Sequence, residues 1–359
     1  MSPQDALGDE RMAALETVKS WIASEKLLTD DAQTTDVTLM SIPPSKVAEW
    51  RHSAARGSER WVYAQKDDGS LIALDEASDR AFTEVASAVV YPELHTRIVA
   101  WWLVHAWRLV DLAEAALRDI EEWRITVAAV SGRAALEEVG CLLYEARALT
   151  DAWAIAKATP EATSLEGADA VRRILRPVLN KVTLSSRMKA ATHPDLQAVN
   201  VMTYIQKLAK LLRNPAVEDW YEWLSDAAHP ALGARIAVAS QPVVHDSGAV
   251  MLRFYARHPV PPRDFEGVVR GTDFTIAHMA ADAIIFAAQV GKWLLTHSLE
   301  VVDDIGLTTG AATLTTRRYW RDLTPVRGAR RCPCGRGRAS DCGHRWGAPA
   351  PTLVIPAGL

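Results

Sequence analysis

The sequence predicts a mainly α-helical bundle with a small α+β module at the N-terminal end and a zinc knuckle at the C-terminal end. Three observations predict it. Long runs with helical apolar periodicity fill most of the stretch from 81 to 305. Two β-rich runs flank an Asp68-Gly69 turn signal ahead of them. Three of the four cysteines fall within eleven residues near the end, with a histidine just beyond.

With 359 residues, 49% of them hydrophobic, the chain can bury a substantial core and hold more than one module. Residues 1–80 read as the small α+β module. Within it, 7–28 carry Met12, Leu15, Val18, Trp21 and Ile22 on one helical face. "TTDVTLMSIPPSKVAEW" has strand-like and turn-like character, and "RWVYAQKDDGSLIAL" reads as a hairpin turning at Lys66–Gly69.

Residues 81–305 read as the bundle. "ELHTRIVAWWLVHAWRLVDLAEAALRDIEEW" is one long helix, opened by Pro92 near its first turn. "RITVAAVSGRAALEEVGCLLYEARALTDAWAIAKA" is a second, loosened at Ser131-Gly132 and ended by Pro160. "SLEGADAVRRILRPVL", "HPDLQAVNVMTYIQKLAKLLRN" and "PAVEDWYEWLSDAAH" follow as helices, with Pro215 suited to a helix start. Residues 235–272 change to a β-like excursion around His245-Asp246-Ser247-Gly248. An apolar helix from 273 to 303 closes the bundle. Residues 306–359 form a basic tail with the knuckle at 332–344, and "APAPTLVIPAGL" ends it as a loosely ordered strap.

The first residues lack the basic and apolar regions of a signal peptide. The most apolar run, "FTIAHMAADAIIFAAQVGKWLL", carries His278, Asp282, Gln289 and Lys292 and fits a buried helix better than a membrane span. The expected compartment is therefore the cytoplasm, where disulfides are the weaker reading of clustered cysteines. The formal net charge of −4 excludes a uniformly basic nucleic-acid binder, but the charge is uneven. Between Thr315 and Trp346 lie nine arginines, among them Arg330, Arg331, Arg336 and Arg338, against only Asp322 and Asp341.

Cys332, Cys334, Cys342 and His344 make a four-ligand Cys/His set at short spacing, which suits tetrahedral zinc. Gly335 and Gly337 let the backbone turn tightly around the sulfurs. A segment so poor in apolar residues cannot fold on its own core; metal binding supplies typically about 10–16 kcal/mol in such sites. The bland alternative is a set of free or redox-active thiols. "CPCGRGRASDCGH" resembles the SEC-C motif, the zinc knuckle that closes the preprotein translocase ATPase SecA and is appended to many bacterial proteins. Cys332, Pro333, Cys334, Gly335 and Gly337 carry the resemblance. Arg336 stands where serine is usual, Arg338 replaces a lysine, Ala339 departs from a second lysine, and Gly343 separates two ligands the family keeps adjacent. The resemblance implies zinc and an interaction role, and it covers only this stretch.

In the body, Tyr221, Ser225 and His229 are spaced four apart, as are Arg133 and Glu137. On helices each set shares a face, so together they predict a polar cluster in the bundle. It reads as mutual hydrogen bonding, as a ligand or partner site, or as acid–base chemistry on a phosphodiester. The Tyr-x-x-Leu-Ser-x-x-x-His-Pro pattern resembles a loose group of bacterial helical proteins and implies no reaction. HEPN ribonucleases carry arginine, four residues, then histidine; upstream of His229 and His297 that position holds Leu224 and Lys292. P-loop, dinucleotide-fingerprint, His-Glu-x-x-His and Gly-x-Ser-x-Gly signatures are absent. Cys141, among apolar helix residues, reads as a core cysteine. The thirteen tryptophans read as bundle packing, with an aromatic-lined pocket as the alternative.

The expected function is a zinc-binding interaction or regulatory protein whose basic tail recruits a protein, ribosome or nucleic-acid partner. The alternative is a stress- or defence-linked nuclease or other hydrolase centred on His229, Tyr221 and Arg133; no motif compels an enzyme.

Overall fold

The computed structural model describes residues 2–29, 62–65, 71–74, 91–160, 162, 165–187, 197–244, 251–265, 268–311 and 342–355. Their order is α1 (Pro3–Leu7), α2 (Asp9–Thr29), β1 (Val62–Gln65), β2 (Leu71–Leu74), α3 (Tyr91–Glu121), α4 (Ile125–Lys157), α5 (Leu165–Leu184), α6 (Val201–Leu212), α7 (Ala216–Ala228), α8 (Leu232–Ile236), β3 (Val243–Val244), β4 (Met251–Leu252), β5 (Arg263–Phe265), β6 (Val268–Arg270) and α9 (Thr275–Thr309). The described chain is mainly α, and the helices form a bundle.

Helix α4 is its axis. It packs against α3, α5, α6, α7 and α9, while α3 and α9 also pack on each other. Along α4, Ala128, Ala135, Leu136, Val139, Leu142, Leu143, Leu149 and Trp153 are buried at helical spacing. Each large aliphatic side chain sealed there contributes about 1.5–3 kcal/mol, so the folding free energy lies in the helix–helix seams. The helix runs unbroken through Ser131-Gly132, where a loosening was expected. Gly132 is buried with Ala280, Ile284 and Leu224 closing over it, and this packing outweighs its low helix propensity.

α3 and α4 are joined by a tight turn in which Trp123 takes a left-handed conformation, φ 56°. Arg124 bonds back to Asp119 through its side chain (2.5 Å), tying the two helix ends. Close approach matters most at Gly291 of α9, where a Cβ would lie 2.2 Å from Leu109 of α3. Gly310, φ 73°, terminates α9 in the left-handed geometry that glycine supplies at no cost.

Helix α2 buries Leu15, Val18, Trp21 and Ile22 and packs on α3 and α9. Arg11 grips Asp282 of α9 with two parallel bonds (2.7 and 3.0 Å), and Lys19 reaches Glu121 of α3 (2.9 Å). The N-terminal helix thus joins the bundle's packing. β1 and β2 pair antiparallel, Val62 opposite Leu74, as the Asp-Gly signal predicts; the turn residues Lys66–Ser70 lie outside the described residues.

The stretch after α8 forms two short antiparallel pairs, β3–β4 and β5–β6, with bridges from Ala239 to Tyr255 and from Ser240 to Thr272. His245–Gly248 fall outside the described residues. Helix α9 is long and apolar enough to cross a membrane by length and composition, yet 61% of its most apolar window is buried inside the bundle. Its apolar surface is used in packing against α2, α3, α4 and α7.

The final described segment, 342–355, has no regular structure and lies against the bundle. Trp346 packs on Tyr91 of α3 and Trp153 of α4, with ring centroids 5.4 and 5.8 Å apart. Ala350 and Leu353 rest on the core beside it.

Candidate functional site

Three polar clusters stand out among the described residues, beside a buried ion-pair group of Glu93, Arg97 and Arg172. The first is the one the spacing predicts. Tyr221 of α7 donates its hydroxyl to Glu137 of α4 (3.0 Å) and accepts from Arg133 (3.3 Å), while Arg133 pairs with Glu137 (3.0 Å). The Arg133 guanidinium lies over the Tyr221 ring, 5.3 Å from its centroid. Arg133 and Glu137 keep 26% and 28% of their side-chain exposure, so water screens the pair.

Two residues expected in this cluster do not join it. Ser225 sits one turn on, and its hydroxyl finds no hydrogen-bond partner. His229 is a correction. Helix α7 stops at Ala228, and His229 is extended, φ −97° and ψ 156°, and exposed. The reason is Pro230: a proline pushes the preceding residue out of the helical region. The four-residue spacing therefore stops placing side chains on one face one residue too soon. The arginine-x4-histidine spacing of the HEPN enzymes does occur once, from Arg253 to His258, but in the irregular backbone after β4 and not on a helix.

The second cluster lies one residue along α4 and is buried. His105 of α3 stands between two carboxylates of α4. Its Nδ1 meets Glu138 at 2.5 Å and its Nε2 meets Glu145 at 3.0 Å. Glu138 also accepts from Arg108 (2.7 Å), and Glu145 from the Trp101 indole (2.7 Å) and the Cys141 thiol (3.3 Å). Burial alone would strip the proton from His105, but the hydrogen bonds and charges of Glu138 and Glu145 outweigh it and push the imidazolium up to about 9. Both ring nitrogens therefore donate. Burial, with Glu145 and Glu138 close by, raises the Cys141 thiol instead, so it is no free-standing nucleophile.

Helix α6 completes this region. At Gly140 a Cβ would lie 3.1 Å from Tyr204, so the glycine lets α6 approach α4 and sets Tyr204 beside Cys141. A cleft of about 150 Å³ opens here, lined by Tyr144, Glu145, Lys181, Val182, Ser185 and Tyr204 among others. Lys207 caps the Tyr144 ring at 4.2 Å. His105, Cys141 and Glu145 offer one nitrogen, one sulfur and one oxygen that all lie within 4.8 Å of one another.

The third cluster holds the C-terminal segment. Lys157 and Asp304 are both buried and form a pair at 2.8 Å. Asp304 also accepts from the Trp153 indole (2.7 Å) and meets His344 Nδ1 at 2.6 Å. Lys157 Nζ donates onward to the carbonyls of Gly343 (2.6 Å) and Pro349 (3.3 Å), and its own carbonyl accepts from the Gly347 amide (3.0 Å). Burial raises the Asp304 carboxyl, yet the bonds from His344, Lys157 and Trp153 outweigh that and hold it below its ordinary value.

Of the predicted zinc ligands, Cys342 and His344 lie in this segment; Cys332 and Cys334, and with them Arg330, Arg331, Arg336 and Arg338, fall outside the described residues. The described half fits a ligand role chemically: a carboxylate on Nδ1 is the usual partner of a histidine that coordinates zinc through Nε2. Among the described tryptophans, several serve packing and hydrogen bonding. Trp102 donates to the Leu295 carbonyl (2.9 Å), and Trp220 rests on Phe286 (5.4 Å).

Sequence reasoning missed the Glu138–His105–Glu145 cluster. A signal was present. Glu138, Cys141 and Glu145 share one face of α4, and Trp101 and His105 share one face of α3, both within apolar runs. The fold and its sites define a mainly α bundle protein with two buried ionisable clusters and one at its edge. No family model matches the chain, no curated protein is similar to it, and no solved structure matches it.

Proposed function

We propose that this is a zinc-binding interaction protein, in which the bundle serves as a rigid platform for a C-terminal Cys/His knuckle flanked by arginines. One observation carries the reading: the end of the knuckle sequence is anchored to a buried ion pair, with His344 held by Asp304 and Gly343 by Lys157. A free thiol tail has no use for so specific a mount. With Asp304 on Nδ1, Nε2 is the nitrogen that takes the zinc, together with Cys332, Cys334 and Cys342. The arginines around it, Arg330, Arg331, Arg336 and Arg338 foremost, supply the charge for an anionic partner such as RNA or a ribosome surface.

The hydrolase alternative finds less support. His229 is accessible, as that reading needs, but it follows the end of α7 in extended backbone and does not continue the helical face of Tyr221, and Arg133 is already engaged by Glu137 and Tyr221.

Elemental analysis tests the metal. The Cys332→Ser, Cys334→Ser protein should hold about one zinc per chain less than the parent; equal zinc in both would overturn the knuckle. Binding to a mixed-sequence single-stranded RNA, titrated with salt, tests the partner. Replacing the four named arginines by alanine should flatten the salt slope by about 3, at roughly 0.7 per phosphate contact. An unchanged slope would remove the tail from partner binding.

A further inference from the structure

We propose that His105, Cys141 and Glu145 form a second, internal site for a divalent transition metal of the zinc class, independent of the C-terminal cysteines. The ligand atoms are already gathered. Glu145 Oε2 lies 3.0 Å from His105 Nε2, its Oε1 lies 3.3 Å from Cys141 Sγ, and all three ligand atoms fall within 4.8 Å. Tetrahedral zinc, with bonds of about 2.0–2.3 Å, sets such atoms about 3.3–3.6 Å apart. Changes of a few tenths of an ångström to about one ångström convert the hydrogen-bonded cluster into a coordination shell.

The surroundings match such a site. Glu138 holds His105 Nδ1 at 2.5 Å and is itself fixed by Arg108 at 2.7 Å, an orienting chain that aims Nε2 at Glu145. The Trp101 indole donates to the same Glu145 oxygen, Oε2, at 2.7 Å. Here Glu145 lines a cleft of about 150 Å³, with Tyr144, Lys181 and Tyr204 in its walls. Three protein ligands leave a fourth position for water or a small exogenous ligand.

The chain's cysteine count makes the test clean. In full-length protein carrying Cys332→Ser, Cys334→Ser and Cys342→Ser, Cys141 is the only remaining thiol. Cobalt(II), supplied both during expression and afterwards, should then give a near-ultraviolet sulfur-to-cobalt charge-transfer band at one equivalent. The band should vanish with a further Cys141→Ser, while the helical circular dichroism stays the same. Glu145→Gln should weaken cobalt binding at least tenfold. Folded triple-serine protein that shows no band overturns the site. Should that variant fail to fold, parent and Cys141→Ser single variant are compared by elemental analysis: one metal less per chain supports the site, and equal metal overturns it. Loss at Cys141 and loss at Cys332/Cys334 are separate readouts, so either site can fail without the other.

Discussion

Glu137 and Glu138 are neighbours on one helix and live in different physics. Glu137 reaches Arg133 and Tyr221 at the bundle's edge, with 28% of its side chain exposed. Glu138, a turn of about 100° away, points inward to His105 and keeps only 8%. The outer pair is screened by water and its partners can relax. The inner carboxylate sits where an unmatched charge has no solvent to turn to, so every partner must be in place. Two buried histidines show a second contrast, set by their partners and not by exposure. His105, flanked by carboxylates, is held protonated up to about 9, whereas His95, sealed against the Val302 carbonyl, is pushed down to about 4 by burial.

Stability measurements can break this picture or sharpen it. The largest effect is expected at the most deeply buried pair, Lys157–Asp304, with side-chain exposures of 1% and 2%. Asp304→Ala strands the ammonium and should cost about 3–5 kcal/mol in denaturant unfolding. It should also make 342–355 accessible to limited proteolysis, since His344 loses its anchor. Glu138→Ala should cost about 3 kcal/mol, less because Glu145 still faces His105. If Glu137→Ala costs as much as Glu138→Ala, burial is not what separates the two clusters.

The next effect is in acid. His95 has a folded pKa near 4, below the 6.5 of an unfolded histidine, so between these values the unfolded chain binds the extra proton. The His95 contribution to stability is full well above pH 6.5 and falls as the pH drops toward 4, by about 2 kcal/mol at pH 5. Urea midpoints of the parent and of His95→Gln across that window should converge as the pH falls; parallel curves would contradict the assignment. The smallest effect is expected at the outer cluster, where Glu137→Ala should cost no more than about 1 kcal/mol, read by the same unfolding curves.

Much of this was legible beforehand. Apolar periodicity placed the long helices, and Asp68-Gly69 the β1–β2 hairpin, because both signals are local; the helix expected from His193 begins only at Val201, where Asn200 caps it, and the one expected to end at Leu179 runs on to Leu184. The pairing of Arg133 and Glu137 with Tyr221 was legible for the same reason, as spacing along two helices. His229 was misread because Pro230 was expected to stop the helix just after it, whereas a proline already pushes the residue before it out of the helical region. The Glu138–His105–Glu145 cluster depends on partners 33 and 40 positions apart, and on which face of α3 meets which face of α4.

The sequence by itself determined the helical class, the hairpin and the Cys/His composition of the tail, since each follows from near-neighbour spacing and side-chain chemistry. Tertiary structure alone decided that Glu138 and Glu145 enclose a histidine, that Lys157 and Asp304 are buried together, and that His344 lands on them. Those outcomes turn on helix–helix registry, where glycines such as Gly140 and Gly291 let backbones close to contact distance and so select which charged side chains are taken out of water.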